Sequence, residues 1–455
     1  MSPDSAAQIV RARDIRGLVP DQLDERSAHR IGAAFAELTG APEIAVAQDM
    51  RDTSPALASA FMRGVLEQGV DVVDAGLGST DYLHFVSGLL GVPGAMITAG
   101  HHPADHNGIK LCRAGAVPVG EGTGLERIRA ALVEGGPDRV PVPGRRRAVE
   151  LLYDYAAHLH SLIDLSGLRP LKVVVDAGNG MAGLTVPLVL NRPGLRIVPL
   201  HFDLDGTFPH HDADPMKPAN TAELRKRVVA EGADLGLAFD GDADRCFAVD
   251  ERGEAVPASA LIALVAERLL AAEPGATVVH DLVTSRSVPE AIEAAGGRAV
   301  RSRVGRSAVT ALMAEHNAVF GGEHTGHYYF RDFWSADTGL PVAMHLLAAL
   351  SAADQPLSKL VAEHGRRVNS GEVGLEVADP AEAVIAVART LGDSGARVDR
   401  LDGLTAEFAD GSWFNLRASD TEPLLWLNAE AADERTLRSL TDHVLRAVRG
   451  ADQDG

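Results

Sequence analysis

The sequence predicts an α/β protein in which one strand–loop–helix unit recurs, followed by a smaller α+β domain. Three short apolar segments each end in an aspartate and lead through turn residues into a helical pattern; they are residues 43–49, 172–176 and 277–281. In each unit a second apolar segment runs into a glycine-rich or polar loop, at residues 94–103, 235–245 and 318–327. Functional loops in α/β units follow the carboxyl ends of strands, so these loops are the candidate site.

The length and the change of pattern along the chain predict several domains. A chain of 455 residues is expected to form two to four domains. Residues 131–147 are rich in Gly, Pro and Arg and indicate a linker after the first unit. After about residue 365, alternating strand patterns end in a helical segment, which predicts a separate α+β domain.

Two helices can be predicted in detail. Asn220 and Glu223 have the spacing of a capping box, and Gly232 is expected to end the helix that they start. Residues 258–272 form the longest apolar run, which Glu267 interrupts. That run predicts a buried amphipathic helix rather than a membrane span.

Charge and cysteine content exclude several classes of protein. The formal net charge of −20 argues against general nucleic-acid binding, although a few placed cations can still form a local basic cleft. Two cysteines, Cys112 and Cys246, exclude a cysteine-rich metal site and predict buried thiols in a reducing cytoplasm. No apolar signal segment is visible at the N-terminus, so neither secretion nor a membrane partner is expected.

The loop after the apolar strand at residues 235–239 is strongly acidic. Asp240, Asp242 and Asp244 alternate, and alternate side chains of an extended segment point the same way. Three carboxylates on one side repel each other unless a cation lies between them, and oxygen ligands on a tight loop suit Mg²⁺. The alternative is a solvated acidic turn, which burial of the preceding strand disfavours.

Residues 96–110 have the features of a loop that binds phosphate. The loop turns through Gly100 and offers His101, His102 and Lys110. It contains no good phosphate acceptor at the turn itself.

Residues 321–327 and 416–423 provide two further polar loops. Glu323, Thr325 and His327 suit sugar hydroxyls, although a polar surface turn would explain the same pattern. The second loop supplies a possible phosphate clamp, for which a simple β-turn is the alternative; its residues are Arg417, Ser419 and Thr421. Asp420 adds negative charge within that loop and is expected to cap the turn.

Taken together, five segments resemble the motifs of the α-D-phosphohexomutase family, the phosphomannomutase/phosphoglucomutase type, in the family's order. They are RARDIRG (11–17), TAGHHPADHNGIK (98–110), DGDADR (240–245), GGEHTGH (321–327) and RASDTEP (417–423). The resemblance implies three related α/β domains and a C-terminal α+β domain around a central cleft. The domain ranges are then 1–145, 146–252, 253–365 and 366–455.

The resemblance also implies the role of each site residue. Mg²⁺ would bind the three aspartates. The loop at residues 321–327, the sugar loop, would bind hydroxyls, and the loop at residues 416–423 would bind the substrate phosphate. Lys110 would be the general acid/base, while Arg16 and Arg245 would stabilise the transferring phosphoryl group. Members of the family store this group on a serine and return it after a sugar bisphosphate has reoriented.

The chain departs from the family pattern at the position of the serine that stores the phosphoryl group. Gly100 stands at the serine position, so no side chain can be phosphorylated there. Arg13 replaces a tyrosine, His102 an asparagine and Arg306 a histidine. Because Arg13 and Arg306 add positive charge, they predict a ligand more anionic than a hexose monophosphate, although both could point to solvent.

We therefore expect a cytoplasmic, Mg²⁺-dependent enzyme that acts on a phosphosugar by an altered cycle. Phosphoryl transfer through a bound sugar bisphosphate, hydrolysis and acid/base isomerisation all remain open. One alternative is a conventional mutase with another acceptor, for which His102 is the candidate. The other is a non-catalytic regulatory protein that binds sugar phosphates. No nucleic acid or membrane partner is expected, and the sequence predicts no oligomeric state.

Overall fold

The computed structural model describes residues 1–12, 14–353, 355–362, 364, 367–392, 394–418 and 424–454. The α-helices of this part of the chain are α1 (Pro3–Ile9), α2 (Glu25–Thr39), α3 (Ser54–Leu66), α4 (Thr80–Leu90), α5 (Leu125–Glu134), α6 (Leu152–Leu162), α7 (Ala182–Leu190), α8 (Ala222–Glu231), α9 (Ala258–Ala272), α10 (Ser287–Ala294), α11 (Arg306–His316), α12 (Leu340–Ala352), α13 (Leu357–Leu360), α14 (Pro380–Leu391) and α15 (Glu434–Asp454).

The strands are β1 (Ile15–Leu18), β2 (Glu43–Gln48), β3 (Asp71–Leu77), β4 (Gly94–Ile97), β5 (His106–Arg113), β6 (Val117–Pro118), β7 (Arg146–Ala148), β8 (Leu171–Asp176), β9 (Leu195–Leu200), β10 (Leu235–Phe239), β11 (Cys246–Asp250), β12 (Ala255–Val256), β13 (Thr277–Asp281), β14 (Arg298–Ser302), β15 (Phe320–Gly322), β16 (Tyr328–Phe330), β17 (Ala336–Asp337), β18 (Val368–Glu376), β19 (Arg397–Asp399), β20 (Leu404–Glu407), β21 (Trp413–Ala418) and β22 (Leu424–Ala431).

The first three sheets share a core of four strands in the same order. Their strand orders are β1-β5-β4-β2-β3-β7 (with β6 paired to β5), β12-β11-β10-β8-β9 and β17-β16-β15-β13-β14. In each sheet the central pair is parallel, and the strand after it returns as an antiparallel partner. The predicted recurring α/β unit is therefore confirmed. β7 pairs with β3 and completes the edge of the first sheet. This sheet therefore extends past the predicted domain boundary at residue 145.

The recurring aspartate has the same structural role in all three units. Each carboxylate lies at the carboxyl end of a buried strand and accepts a hydrogen bond from a backbone N–H of the following turn. Asp49 bonds the N–H of Arg51 at 3.0 Å, Asp176 that of Gly178 at 2.9 Å, and Asp281 that of Thr284 at 2.8 Å. A buried strand end leaves polar backbone groups that need partners, and these carboxylates supply them.

The fourth sheet is antiparallel throughout, with the order β18-β22-β21-β20-β19. Helices α14 and α15 pack on it over a core that includes Phe414, Leu427 and Val444. This arrangement confirms the predicted C-terminal α+β domain.

The two helices that were predicted in detail are present, but one of their predicted capping interactions is not. Helix α9 matches the predicted range, and Gly232 ends α8 with φ of 56°. The predicted capping box is wrong, because Thr221 is the N-cap residue and makes no side-chain cap hydrogen bond. Asn220 instead donates to the carbonyl oxygen of Asp214 at 2.9 Å.

Two further expectations concern thiols and membranes. Cys112 and Cys246 are buried and unpaired, as predicted. Among the described residues, no helix has both the length and the hydropathy required to cross a bilayer.

Candidate active site

The polar loops of all four sheets meet at one cleft of about 330 Å³. This meeting brings together residues that lie far apart in the chain, as the motif order implied. The predicted site residues that line the cleft are Arg16, His101, His102, Lys110, Asp240, Asp244, Arg245, Arg306, Glu323, Thr325, His327 and Arg417. Trp426 also lines it, whereas Gly100 and Asp242 are buried and are not among the lining residues. Arg13, Ser419, Asp420 and Thr421 lie outside the described residues.

The three aspartates of the acidic loop form a compact, buried group. Asp240, Asp242 and Asp244 are each at most 1% exposed, and each offers a carboxylate oxygen within 4.8 Å of the others. One oxygen of Asp242 and one of Asp244 (both Oδ1) are buried and accept no hydrogen bond from any described residue. Unpaired buried carboxylate oxygens are costly, so their presence fits a divalent cation with hard oxygen ligands.

Two cations of the chain already contact this group. The Lys110 ammonium donates to Asp242 Oδ2 at 2.6 Å and to Asp244 Oδ2 at 2.5 Å, while Arg245 Nε donates to Asp240 Oδ2 at 2.9 Å. Burial alone would lower the pKa of Lys110, but the two carboxylates raise it above its ordinary value. Lys110 is therefore a protonated group at neutral pH.

Gly100 lies directly against the acidic loop. Its φ is +58°, the left-handed region that glycine adopts without strain. A Cβ built on Gly100 would lie 3.2 Å from Asp242 Oδ1, and the three nearest atoms to it all belong to Asp242. A side chain at this position would thus point at the carboxylates.

Arg51 holds the backbone of the Gly100 loop, and the sequence analysis missed it. Its guanidinium donates to the carbonyl oxygens of Gly100 (2.8 Å), His102 (2.7 Å), Pro103 (2.7 Å) and His106 (2.9 Å). The side chain is 1% exposed. The available signal was an arginine two residues beyond a buried strand that ends in aspartate.

We expect Arg51→Met to destabilise the protein by about 3–5 kcal/mol. The substitution leaves four carbonyl oxygens without their donor and Asp49 without its buried counter-ion, which lies 3.3 Å from Arg51 Nε. Urea unfolding followed by circular dichroism measures the change. Arg63→Met is the matched control, because Arg63 is 55% exposed and should change stability by less than about 0.5 kcal/mol. Equal losses in both variants would contradict the assignment.

The two histidines after Gly100 differ in their hydrogen bonds. Arg16 Nη1 donates to His102 Nδ1 at 2.7 Å, and burial together with Arg16 lowers the pKa of His102 to about 3. His102 is therefore neutral, and its unprotonated nitrogen is already occupied. Burial and Arg245 lower the pKa of His101 well below its ordinary value, and its ring has no hydrogen-bond partner among the described residues. His101 therefore offers a neutral imidazole to the cleft.

The sugar loop (residues 321–327) makes contacts through Glu323 and His327. Glu323 Oε2 accepts from the N–H of Gly305 at 2.7 Å, and Tyr329 donates to the other oxygen. Thr325 Oγ1 lies 2.9 Å from His327 Nδ1, and His327 Nε2 lies 3.9 Å from Asp244 Oδ1. These contacts place the predicted hydroxyl-binding groups beside the acidic loop.

Arg306 lies in the cleft rather than pointing to solvent, but its charge is paired. Its guanidinium contacts both oxygens of Asp337 at 3.2 Å, and the side chain is 19% exposed. His84 lies 3.4 Å from the same carboxylate. Asp337 thus balances the positive charge that was expected to attract a more anionic ligand.

A chain of charges joins the third and fourth sheets. Arg417 Nη2 donates to Glu372 Oε1 at 2.6 Å, and His324 lies between Glu372 (3.2 Å) and Asp281 (2.6 Å). Both ring nitrogens of His324 face carboxylate oxygens. Burial would lower the pKa of His324, but Asp281 and Glu372 together outweigh it and raise the pKa to about 9.

We expect the contacts of His324 with Asp281 and Glu372 to make the free energy of unfolding depend on pH. The pKa of His324 is raised from 6.5 to about 9, so the stabilisation is complete below pH 6.5 and is lost as pH rises through 9. Wild type should lose about 3 kcal/mol of unfolding free energy across this range that His324→Asn does not lose. Urea unfolding on both sides of the range measures it. The control is His443→Asn on the exposed face of α15, which should keep the wild-type slope.

Comparison with known proteins identifies the family. Models of the phosphoglucomutase/phosphomannomutase α/β/α domains I, II and III match residues 7–135, 153–253 and 257–368, and that of the C-terminal domain matches 366–447. A phosphomannomutase of Salmonella montevideo is 37% identical over 451 residues, which cover 96% of this chain and 98% of the relative. The chain belongs to the α-D-phosphohexomutase family.

Other α-D-phosphohexomutases agree with this assignment. The phosphohexose mutases of Xanthomonas campestris pv. campestris are 38% identical over 444 residues, covering 97% of this chain and 99% of the relative. A phosphoglucomutase/phosphomannomutase family protein from Burkholderia thailandensis has a crystal structure with a TM-score of 0.89 at 30% identity, over 99% of this chain and 98% of that one. The four-domain architecture is confirmed, and the protein is a sugar-phosphate enzyme of this family.

Proposed function

We propose that this phosphohexomutase-family protein is a Mg²⁺-dependent phosphatase that transfers a phosphoryl group from a sugar bisphosphate to water. The observation that carries the proposal is the position of Gly100. Glycine has no side chain on the face of the loop that points at Asp242, whose Oδ1 has no hydrogen-bond partner among the described residues and lies 3.2 Å from the position that a Cβ would take. A water held on that face, at van der Waals distance from Gly100 Cα, could donate a hydrogen bond to this oxygen.

The acidic loop supports the proposed metal. Asp240, Asp242 and Asp244 would hold Mg²⁺, which prefers carboxylate oxygens and retains open positions for other oxygen ligands. Bound there, the ion would stabilise negative charge on the phosphoryl oxygens. Arg16 and Arg245 line the same cleft and add fixed positive charge.

The proposed reaction uses two groups of the chain to move protons. The oxygen of the water beside Gly100 bonds to phosphorus, and the bond from phosphorus to the sugar oxygen breaks. The neutral His101 ring takes the proton of the water, and the Lys110 ammonium gives a proton to the leaving sugar oxygen. A loose phosphoryl-transfer transition state requires little help from the base, so a weakly basic imidazole is adequate.

The contacts of the cleft argue against the other reactions. Isomerisation with Lys110 as the base is disfavoured, because Asp242 and Asp244 keep this lysine protonated. A mutase with His102 as acceptor requires a free ring nitrogen, but Arg16 occupies it. A regulatory protein that only binds its ligand would not require the buried carboxylates beside the reacting position.

A mutase that uses His101 as acceptor is the second candidate, because this neutral ring lies in the cleft without a hydrogen-bond partner among the described residues. In that cycle the bond from phosphorus to the sugar oxygen is replaced by one to a ring nitrogen, and the phosphoryl group later returns to the other sugar oxygen.

Phosphorus NMR of glucose 1,6-bisphosphate with the protein and Mg²⁺ tests both candidates. Growth of the inorganic phosphate signal, lost on removal of Mg²⁺ by EDTA, is the expected result. Interconversion of glucose 1-phosphate and glucose 6-phosphate that His101→Asn abolishes would instead establish the second candidate. Unchanged spectra, repeated with the mannose and pentose phosphates, would overturn both.

A further inference from the structure

We propose that the second domain contains a separate site for a transition-metal ion of the Zn²⁺ class, formed by Asp176, His201 and His211, with Glu223 completing it. Asp176, His201 and His211 each offer a ligand atom, and these atoms all lie within 4.8 Å of one another. None of these residues lines the cleft. The proposal does not depend on the reaction proposed above.

His201 provides the first reason for a ligand. Its side chain is 8% exposed, and its Nε2 atom is buried with no hydrogen-bond partner in the part of the chain that the structure describes. Glu223 Oε2 lies 3.3 Å from this nitrogen, close enough to share an ion but without the geometry of a hydrogen bond. The backbone of His201 is also left-handed, with φ of 52°, which is uncommon outside glycine. A buried, unpaired imidazole nitrogen requires an explanation, and a bound ion gives one.

His211 has a geometry that is compatible with the same ion. Its Nδ1 lies 2.8 Å from the carbonyl oxygen of Asp212, and its Nε2 lies 3.1 Å from Asp176 Oδ2. Without an ion, a protonated ring would donate to both oxygens; burial opposes that charge, but these two hydrogen bonds outweigh it and raise the pKa of His211. A neutral ring has one N–H and leaves its other nitrogen for an ion. Metal-binding histidines donate one N–H to a backbone carbonyl and bind the ion with the other nitrogen. The 3.1 Å separation is near the ligand spacing of about 3.3 Å expected around tetrahedral Zn²⁺ with bonds of about 2.0–2.1 Å.

The donor set selects the class of ion. Two imidazoles and one or two carboxylates suit Zn²⁺ and Co²⁺, whereas Mg²⁺ prefers oxygen ligands alone. The site therefore differs in chemistry from the three-aspartate group of the cleft, and excess Mg²⁺ can be used to tell the two apart.

The position of the site indicates a structural role near the cleft. Asp176 ends β8, His201 follows β9, and Glu223 lies in the first turn of α8, so one ion would link three elements. The loop that carries His211 also contacts the cleft, because Asp214 lies 3.7 Å from Arg245 Nη2. An ion at this site would hold that loop against the acidic loop.

The test is Co²⁺ binding to the full chain in the presence of excess Mg²⁺. The visible absorption of Co²⁺ and isothermal titration should show one bound equivalent, which Zn²⁺ displaces. His201→Asn and His211→Gln should each weaken this binding by about 100-fold or more. His210→Asn is the matched control, because His210 stacks on His201 at 3.9 Å but directs its Nδ1 to Asn179, and it should bind Co²⁺ as wild type does.

If a histidine variant fails to fold, a further variant and a melting experiment still test the proposal. Asp176→Asn keeps the oxygen that caps Gly178 and should also weaken Co²⁺ binding. Wild type should in addition melt at a higher temperature with Zn²⁺, and the variants should not. The proposal is overturned if no Co²⁺ binds in excess Mg²⁺, or if the bound equivalent persists in the Asp176, His201 and His211 variants alike.

Discussion

Asp242→Asn is expected to lower kcat/KM for phosphate release about 10³-fold. Asparagine keeps the shape of the side chain but removes a charge from the group that would hold Mg²⁺, and it contributes a single carbonyl oxygen where the carboxylate has two. Asp242 is also one of the two anchors of Lys110, so the proposed proton donor loses a partner at 2.6 Å. Loss of this much transition-state stabilisation corresponds to about 4 kcal/mol.

The measurement is phosphate release from glucose 1,6-bisphosphate over a range of Mg²⁺ concentrations. The variant should also require more Mg²⁺ for half-maximal activity. Asp234→Asn is the matched control, because Asp234 precedes the same strand, β10, at the opposite end and pairs with Arg169 at 3.2 Å. Wild-type activity in Asp242→Asn would exclude the acidic loop as the metal site.

The sequence predicted the features that depend on local pattern. Apolar strands that end in aspartate were recognisable because a buried strand end requires a polar partner for the next turn, and all three aspartates provide it. The order of the motifs matched a known family, and most of the described residues that they named line the cleft, although Gly100 and Asp242 do not.

The sequence could not predict contacts between distant residues. Arg306 is balanced by Asp337, 31 positions away, and Arg417 by Glu372, 45 positions away. A sequence alone shows the charge of each arginine but not the carboxylate that the fold brings to it. Glu223 illustrates the same limit, because its spacing from Asn220 suggested a capping box, whereas its carboxylate lies beside His201.

Gly100→Ser is expected to give the protein a phosphoryl acceptor and with it mutase activity. The new side chain would begin 3.2 Å from Asp242 Oδ1, beside the group proposed to hold Mg²⁺. After incubation with glucose 1,6-bisphosphate and Mg²⁺, intact-mass analysis should show one added phosphoryl group. Interconversion of glucose 1-phosphate and glucose 6-phosphate should rise at least about 10³-fold over wild type, since a covalent acceptor replaces water.

Gly100→Ala distinguishes the effect of the serine hydroxyl from the effect of placing any side chain at this backbone conformation. Either substitution places a side chain at φ of +58°, so both variants should lose a similar free energy of unfolding, about 1–2 kcal/mol. Only the serine variant should gain mass and mutase activity, while both should release less phosphate because a side chain displaces the water. If the serine variant behaves as the alanine variant does in every assay, the remaining cleft residues do not support phosphoryl transfer at this position, and the phosphatase proposal loses its basis.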